Sequence, residues 1–275
     1  MTKTIVVGDI HGHVGSVEAA LAEPHNVVFV GDYLDAFHQS VENQIRCLTL
    51  VLDAIEDEPD RVVGLFGNHE RSYIDRHMQC SGYNPVTQGH VTHLMDRMTA
   101  NLKHYHWVGE YLISHAGIDR HLLDGLGLTA QEYLDAGDFD QIGRLRGGYA
   151  PAGGLYWNDF NGEMEPVPNL KQVVGHSYSK GLYLEDGVRL KDRNGGQTWC
   201  VDNLGRVQEV LMIDGDRAYP YLLSSGEGSD ICEQFDCTNA AQELHTCPYA
   251  AEIGGDDETL CNCCDGCADH CCDDI

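Results

Sequence analysis

Asp9 and His11 stand two residues apart, just after an apolar run, Ile5–Val6–Val7, that reads as a buried strand ending in Gly8. In extended chain both side chains project to one side. A carboxylate beside an imidazole suits a divalent metal. The pattern recurs twice. Val27–Val28–Phe29–Val30 runs into Gly31–Asp32–Tyr33–Leu34–Asp35, and Val62–Val63–Gly64–Leu65–Phe66 runs into Gly67–Asn68–His69–Glu70. Three apolar strands therefore each end in glycine and then a metal-capable side chain. In open α/β sheets, sites form at the carboxyl ends of the strands.

The elements that must position these ends follow from periodicity. Residues 14–22 have helical spacing. Val41, Ile45, Leu48, Leu52 and Ile55 recur at intervals of three and four, so residues 40–56 read as a long amphipathic helix with Ser40 as its N-cap. Strand–helix alternation implies a parallel sheet with helices on its faces. Residues 70–107 read as mostly helical, and 118–145 as helical pieces forming a cap beside the site. Tyr111–Leu112–Ile113–Ser114 is a strand carrying His115, and Lys171–Gln172–Val173–Val174 one presenting His176. Short β segments at 181–184, 188–191, 197–201 and 207–213, separated by Asp186–Gly187 and Asn194–Gly195–Gly196, read as antiparallel and complete a second sheet. Beyond Asp214 the sequence reads as irregular.

The ordered blocks GDIHGH, GDYLDA and GNHE, then Ser114–His115–Ala116–Gly117 and Val174–Gly175–His176–Ser177, resemble those of the calcineurin-like metallophosphoesterases, closest to the phosphoprotein phosphatase branch with its small phage and bacterial enzymes. The resemblance covers residues 3 to about 213. It implies an α/β sandwich in which two mixed β-sheets are flanked by helices, with a dinuclear metal site at strand carboxyl ends. It also implies that Asp9 and His11 bind a first metal, Asp32 bridges both, and Asn68, His115 and His176 complete the second. Their oxygen and nitrogen donors suit Mn above all, or Fe or Zn. The implied reaction is hydrolysis of phosphomonoesters, of the serine/threonine protein phosphatase type, by in-line attack of a metal-bridging hydroxide. His69 is the implied general acid, and Asp35 can fix its tautomer. A diadenosine-polyphosphate or nucleotide hydrolase is the alternative enzyme, and a non-catalytic metal-binding interaction protein the alternative class.

The departures concern phosphate binding. The branch usually reads G-D-x-V-D-R-G, with an arginine gripping the phosphate, but here Ala36 and Phe37 follow Asp35. A second phosphate arginine is common just after the tryptophan of the L-x-W segment, and here Asp159 stands there. Arg146 and Arg71 are the candidate substitutes, with Arg146 preferred. His13 is a candidate to face the substrate.

The formal net charge is −27, from 44 acidic and 17 basic residues, only five of which are lysine. A surface this acidic repels nucleic acid, which needs basic stripes. It fits either a protein adapted to high salt or an ordinary acidic one. No apolar run reaches the length of a membrane span, and Met1–Thr2–Lys3 leads straight into a strand, so the chain reads as cytoplasmic. Nine of twelve cysteines lie between Cys232 and Cys272. Intracellular chains rarely keep structural disulfides. The expected organisation is a metallophosphoesterase domain at 1–215 and an acidic, cysteine-rich tail at 216–275, the tail taking an additional zinc, being disulfide-bonded, or being loosely structured. The expected partners are phosphorylated protein or small phosphoester substrates.

Overall fold

The computed structural model describes residues 3–36, 39–75, 80–178, 197–202 and 209–224, together with the backbone of five short strands elsewhere. One unit comprises Met1–Phe37 and Val41–Leu223, and a second His38–Ser40 and Ser224–Ile275.

In the first unit, strands β1 (Thr4–Val7), β2 (Asn26–Phe29) and β3 (Val62–Gly64) run parallel, linked by helices α1 (Val14–Ala22) and α2 (Val41–Asp57). Helix α2 buries Gln44, Cys47, Leu48, Val51, Leu52 and Ile55, one stripe at three-to-four spacing. Helices α3 (Asn68–Ile74), α4 (Pro85–Val91) and α5 (Met95–Asn101) follow. Strands β4 (Tyr105–Val108) and β5 (Tyr111–Ser114) form a hairpin. Then come α6 (Arg120–Leu126), α7 (Ala130–Ala136) and a single 3-10 turn at Arg144–Arg146. Strand β6 (Lys171–Val174) pairs in parallel with β5.

Strands β7 (Tyr183–Leu184) and β8 (Gly187–Val188) pair with each other. Strand β9 (Lys191–Arg193) pairs antiparallel with β10 (Thr198–Cys200), which pairs in parallel with β6. Strand β11 (Glu209–Asp214) pairs antiparallel with β1 and with β12 (Arg217–Leu222). The two five-stranded sheets therefore run β12-β11-β1-β2-β3 and β4-β5-β6-β10-β9, both mixed. Among the described residues no helix is long and apolar enough to cross a membrane.

Three sequence expectations change. Of the segment expected at 207–213, the described residues from Glu209 on join the first sheet beside β1 rather than the second. Thr198–Cys200 pairs antiparallel with β9 as expected, and in parallel with β6 on its other side. The chain beyond Asp214 forms strand β12, because Gly215 takes a left-handed φ of 65° and closes a two-residue turn. The same device, Gly109 at φ 58°, makes β4 a strand at the end of a stretch expected to be helical.

The core follows the two-residue period of the strands. Val6, Val28, Leu211 and Ile213 of one sheet meet Tyr111, Ile113, Val173 and Trp199 of the other. Ile5, Val7, Val27 and Phe29 point the opposite way, into the helices. Strands buried on both faces explain the near-continuous apolar runs in the sequence.

The second unit is described only as backbone strands β13 (Glu243–Thr246) and β14 (Leu260–Cys263), antiparallel, with His245 opposite Cys261. The side chains of the cysteine-rich tail, and with them the tail zinc expectation, lie outside the described residues.

Candidate metal centre

The strand ends converge. Asp9, His11, Asp32, Asn68, His69 and His176 line one cleft of about 870 Å³, together with Cys80, Arg146, Trp157, Tyr178 and Asp202. His115 is fully buried beneath it. Asp32 Oδ2 lies 3.4 Å from His115 Nε2 and 3.8 Å from the Nε2 of both His11 and His69. Asn68 Oδ1 is 2.9 Å from His115 Nε2 and from His176 Nδ1, and those two nitrogens are 3.2 Å apart. The Asp9 carboxylate accepts the backbone N–H of His176 at 3.0 and 3.1 Å.

The tautomers make this a cation site. His11 Nδ1 donates to the Leu34 carbonyl at 2.8 Å, and His115 Nδ1 to the Val30 carbonyl at 3.0 Å. In the neutral imidazoles the Nε2 lone pairs then face Asp32 and Asn68, acceptor against acceptor. His176 Nε2 is buried with no hydrogen-bond partner. Buried acceptors crowded together are costly unless a cation satisfies them, so these residues fit divalent metal.

Electrostatics agree. Burial, together with the carboxylates of Asp202 and Asp32, pushes Asp9 well above the usual carboxylate range. Although burial opposes it, His115 and His69 hold Asp32 well below that range. Burial, with His115 beside it, lowers His176 well below an ordinary histidine, and burial lowers His11 too.

The backbone is strained where these groups are aimed. Among the described residues five non-glycines have positive φ, and four are His11 (42°), Asp32 (52°), Asp35 (60°) and His176 (62°). Each costs on the order of 1–3 kcal/mol and persists only if its surroundings over-determine it. The fully buried Glu70 supplies much of that constraint. Its Oε2 accepts from the N–H of Asp32 (2.8 Å) and Gly67 (3.0 Å), and its Oε1 from Tyr33 (2.8 Å) and Leu34 (3.3 Å). Gln44 Oε1 accepts the Asp35 N–H at 2.8 Å. Two glycines are steric necessities. A Cβ on Gly67 would sit 2.0 Å from Asp32 Oδ1, and one on Gly175 2.1 Å from Asp9 Oδ1.

Beside the cluster, His69 Nδ1 lies 2.9 Å from Asp35 Oδ2, and Tyr73 donates its hydroxyl to Asp35 Oδ1. Cys80 Sγ is 3.5 Å from the same His69 nitrogen. Burial works against the imidazolium of His69, but the Asp32 carboxylate and the Asp35 hydrogen bond outweigh it and raise His69 well above an ordinary histidine.

The candidate phosphate ligands separate. Arg146 lines the cleft and pairs with Asp159 at 2.9 Å. Arg71 instead grips Asp140 with Nε (3.3 Å) and Nη2 (2.6 Å), and stacks over Tyr156. Neither Arg71 nor His13, which precedes helix α1, is among the described residues lining the cleft. Sequence reading passed over Glu70, Tyr73, Cys80 and Asp202. Of these only Glu70 carries a local signal, as the residue that completes the G-N-H-E block.

The family model for calcineurin-like phosphoesterases matches residues 2–208. No curated protein sequence matches the chain. Among solved structures, the cold-active protein-tyrosine phosphatase of a psychrophilic Shewanella species shares 14% identity at a TM-score of 0.54, over 82% of this chain and 81% of that one. A further structure of a cold-active protein tyrosine phosphatase gives 15% and 0.55, over 81% and 77%. A protein serine/threonine phosphatase from Saccharomyces cerevisiae gives 15% and 0.47, over 84% and 82%. At these identities the likeness to the two cold-active phosphatase structures is one of fold.

Proposed function

The chain belongs to the calcineurin-like phosphoesterase family, and from that premise we propose that it hydrolyses phosphomonoesters on protein serine or threonine side chains. In this reading Asp9 and His11 hold one divalent cation, Asn68, His115 and His176 hold a second, and Asp32 touches both. Manganese is the proposed metal, since every one of these donors is oxygen or nitrogen. When bound, such cations neutralise charge on phosphoryl oxygens and lower the pKa of a water.

The observation that carries the substrate class is the His69–Asp35 pair, 2.9 Å apart. Asp35 holds Nδ1–H, so a protonated His69 keeps its Nε2 proton facing the cleft. That proton goes to the ester oxygen as its bond to phosphorus breaks. A serine or threonine alkoxide is a strongly basic leaving group and needs the proton in the transition state. Tyr73 steadies Asp35 from the far side, and Arg146 at the rim faces the phosphate.

The test is a substrate panel on manganese-loaded protein: phosphoserine, phosphothreonine and phosphotyrosine peptides, nucleotides, dinucleoside polyphosphates and p-nitrophenyl phosphate. Phosphotyrosine belongs there because two solved neighbours are protein-tyrosine phosphatases. Efficient turnover of phosphoserine or phosphothreonine peptides is the expected result. Preference for dinucleoside polyphosphates would replace this reading with the nucleotide-hydrolase one.

A further inference from the structure

We infer that Cys80, His69 and Asp35 form a separate binding site for one thiophilic divalent cation, zinc-like rather than manganese-like, beside the oxygen- and nitrogen-lined centre. The three donors come from three segments: Asp35 after β2, His69 in α3, and Cys80 before α4. Their donor atoms all lie within 4.8 Å of one another. Asp35 Oδ2 is 2.9 Å from His69 Nδ1, and Cys80 Sγ is 3.5 Å from that nitrogen. Around a tetrahedral zinc with Zn–S about 2.3 Å and Zn–N about 2.05 Å, the sulfur and nitrogen stand about 3.5–3.6 Å apart. The observed separation needs almost no adjustment, and the carboxylate needs a few tenths of an ångström.

The thiol is the anomaly of this cleft. The six residues of the neighbouring cluster offer only oxygen and nitrogen, whereas a thiolate selects soft or borderline cations. Cys80, Ser81 and His69 all line the cleft, so a fourth position opens to solvent or substrate. Ser72 Oγ, 2.7 Å from Cys80 Sγ, lies on the sulfur as a supporting partner. Binding balances simply. The thiol proton and the His69 Nδ1 proton both pass to solvent, and that nitrogen and the Asp35 carboxylate turn to the metal.

Occupancy would have a consequence that rests on the general-acid reading above. A metal on Nδ1 replaces the imidazolium by a neutral, metal-held ring, whose remaining Nε2–H is a far weaker acid than an imidazolium, so His69 no longer delivers its proton readily. Zinc at this site is then an inhibitor that leaves the neighbouring cluster loaded.

Cobalt separates binding from activity. Manganese-saturated full-length protein is titrated with Co²⁺, and the thiolate-to-cobalt charge-transfer absorption of wild type is compared with that of Cys80→Ser. The tail cysteines contribute equally to both, and oxygen–nitrogen sites contribute nothing to this band. A difference band that saturates at one cobalt per chain, and that His69→Gln also abolishes, is the expected result. Identical spectra overturn the site. If either variant misfolds by circular dichroism, alkylation of Cys80 by iodoacetamide in wild type decides. Zinc at about ten times its Kd, but not manganese, should slow it about tenfold, since only the metal-free fraction of the thiol reacts, and no protection overturns the proposal. Phosphoserine turnover under zinc is measured alongside. A band without inhibition leaves the metal site standing and removes the general-acid role of His69.

Discussion

Arg146 Nη2 lies 2.9 Å from Asp159 Oδ2, at the rim of the cleft. Asp159 occupies the position where the related phosphatase branch carries a phosphate-binding arginine. The carboxylate therefore holds the one arginine that lines the cleft among the described residues. Substrate phosphate and Asp159 compete for the same guanidinium. Arg146→Ala should raise KM for a phosphoester roughly tenfold, the worth of one charge-assisted hydrogen bond. Asp159→Asn should move KM the other way, by freeing Arg146. Steady-state kinetics on both variants read this out, and a fall in KM for Arg146→Ala would remove Arg146 from phosphate binding.

Asp32 is surrounded by His11, His69 and His115 through one oxygen, while its other oxygen accepts the His69 N–H at 3.1 Å. Asp32→Asn should therefore lower metal content and turnover more than loss of any single neighbour such as His11. Turnover should fall on the order of a hundredfold or more, the scale of removing one preorganised electrostatic contact. Mass spectrometry of bound metal is the check; two retained metals with unchanged turnover would refute the shared-ligand assignment.

Glu70 does not line the cleft, yet it accepts four backbone N–H groups from two of the five loops that carry the proposed ligands. In Glu70→Gln, one acceptor oxygen becomes an amide that must face two N–H donors. Each lost hydrogen bond to a charged group is worth about 1.5–3 kcal/mol. The variant should unfold in urea with about 3 kcal/mol less stability and bind manganese more weakly. An unchanged unfolding midpoint would mean that the left-handed backbone at Asp32 is held by other contacts.

The cleft positions of Asp9, Asp32, Asn68 and His176 are legible in sequence because each follows an apolar strand and a glycine forced by close approach. The sheet assignment fails at β4 and β12 for different reasons. Gly109–Glu110 is a two-residue turn with little local signal, whereas Gly215–Asp216 is a recognisable hairpin pair that the acidic sequence around it obscures. Arg146–Asp159 and Cys80–His69 are contacts between separate segments of the chain, which no periodicity encodes. Arg71 shows the converse: its type and place suggest phosphate binding, but Asp140 claims its Nε and Nη2.

The metal-free protein should lose stability as pH rises from 6.5 to 8. Glu70 is pushed up to about 7 by burial and the Asp32 charge, and Asp9 and His69 are also raised. Groups with raised folded-state pKa values bind more protons folded than unfolded, so stability falls as pH climbs through those values. His11 and His176 are lowered and act oppositely, but only below about 6.5, above which they are neutral in both states. Manganese supplies the missing positive charge and should flatten the slope. Thermal midpoints with and without chelator test this, and a midpoint rising with pH in chelator would contradict the sign.

The last prediction separates the chemistry of His69 from its position beside a metal ligand. Breaking a phosphoester leaves an oxyanion, and the basicity of that oxyanion sets how much it needs a proton. A serine alkoxide needs one, whereas p-nitrophenolate needs little. General-acid catalysis contributes on the order of a hundredfold to ten-thousandfold. His69→Asn should therefore cut phosphoserine turnover by that order while sparing p-nitrophenyl phosphate. Asp35→Asn should follow the same pattern more mildly, since it loosens the tautomer at the 2.9 Å hydrogen bond without removing the ring. Tyr73→Phe, which removes only the hydroxyl donated to Asp35, should be milder still. The rival account is that His69, whose backbone N–H reaches Asp32, mainly supports the metal cluster. Both substrates would then lose activity by the same factor, and bound metal would fall in step. Rates for both substrates on metal-saturated protein distinguish the accounts, and equal losses across the three variants would end the general-acid assignment.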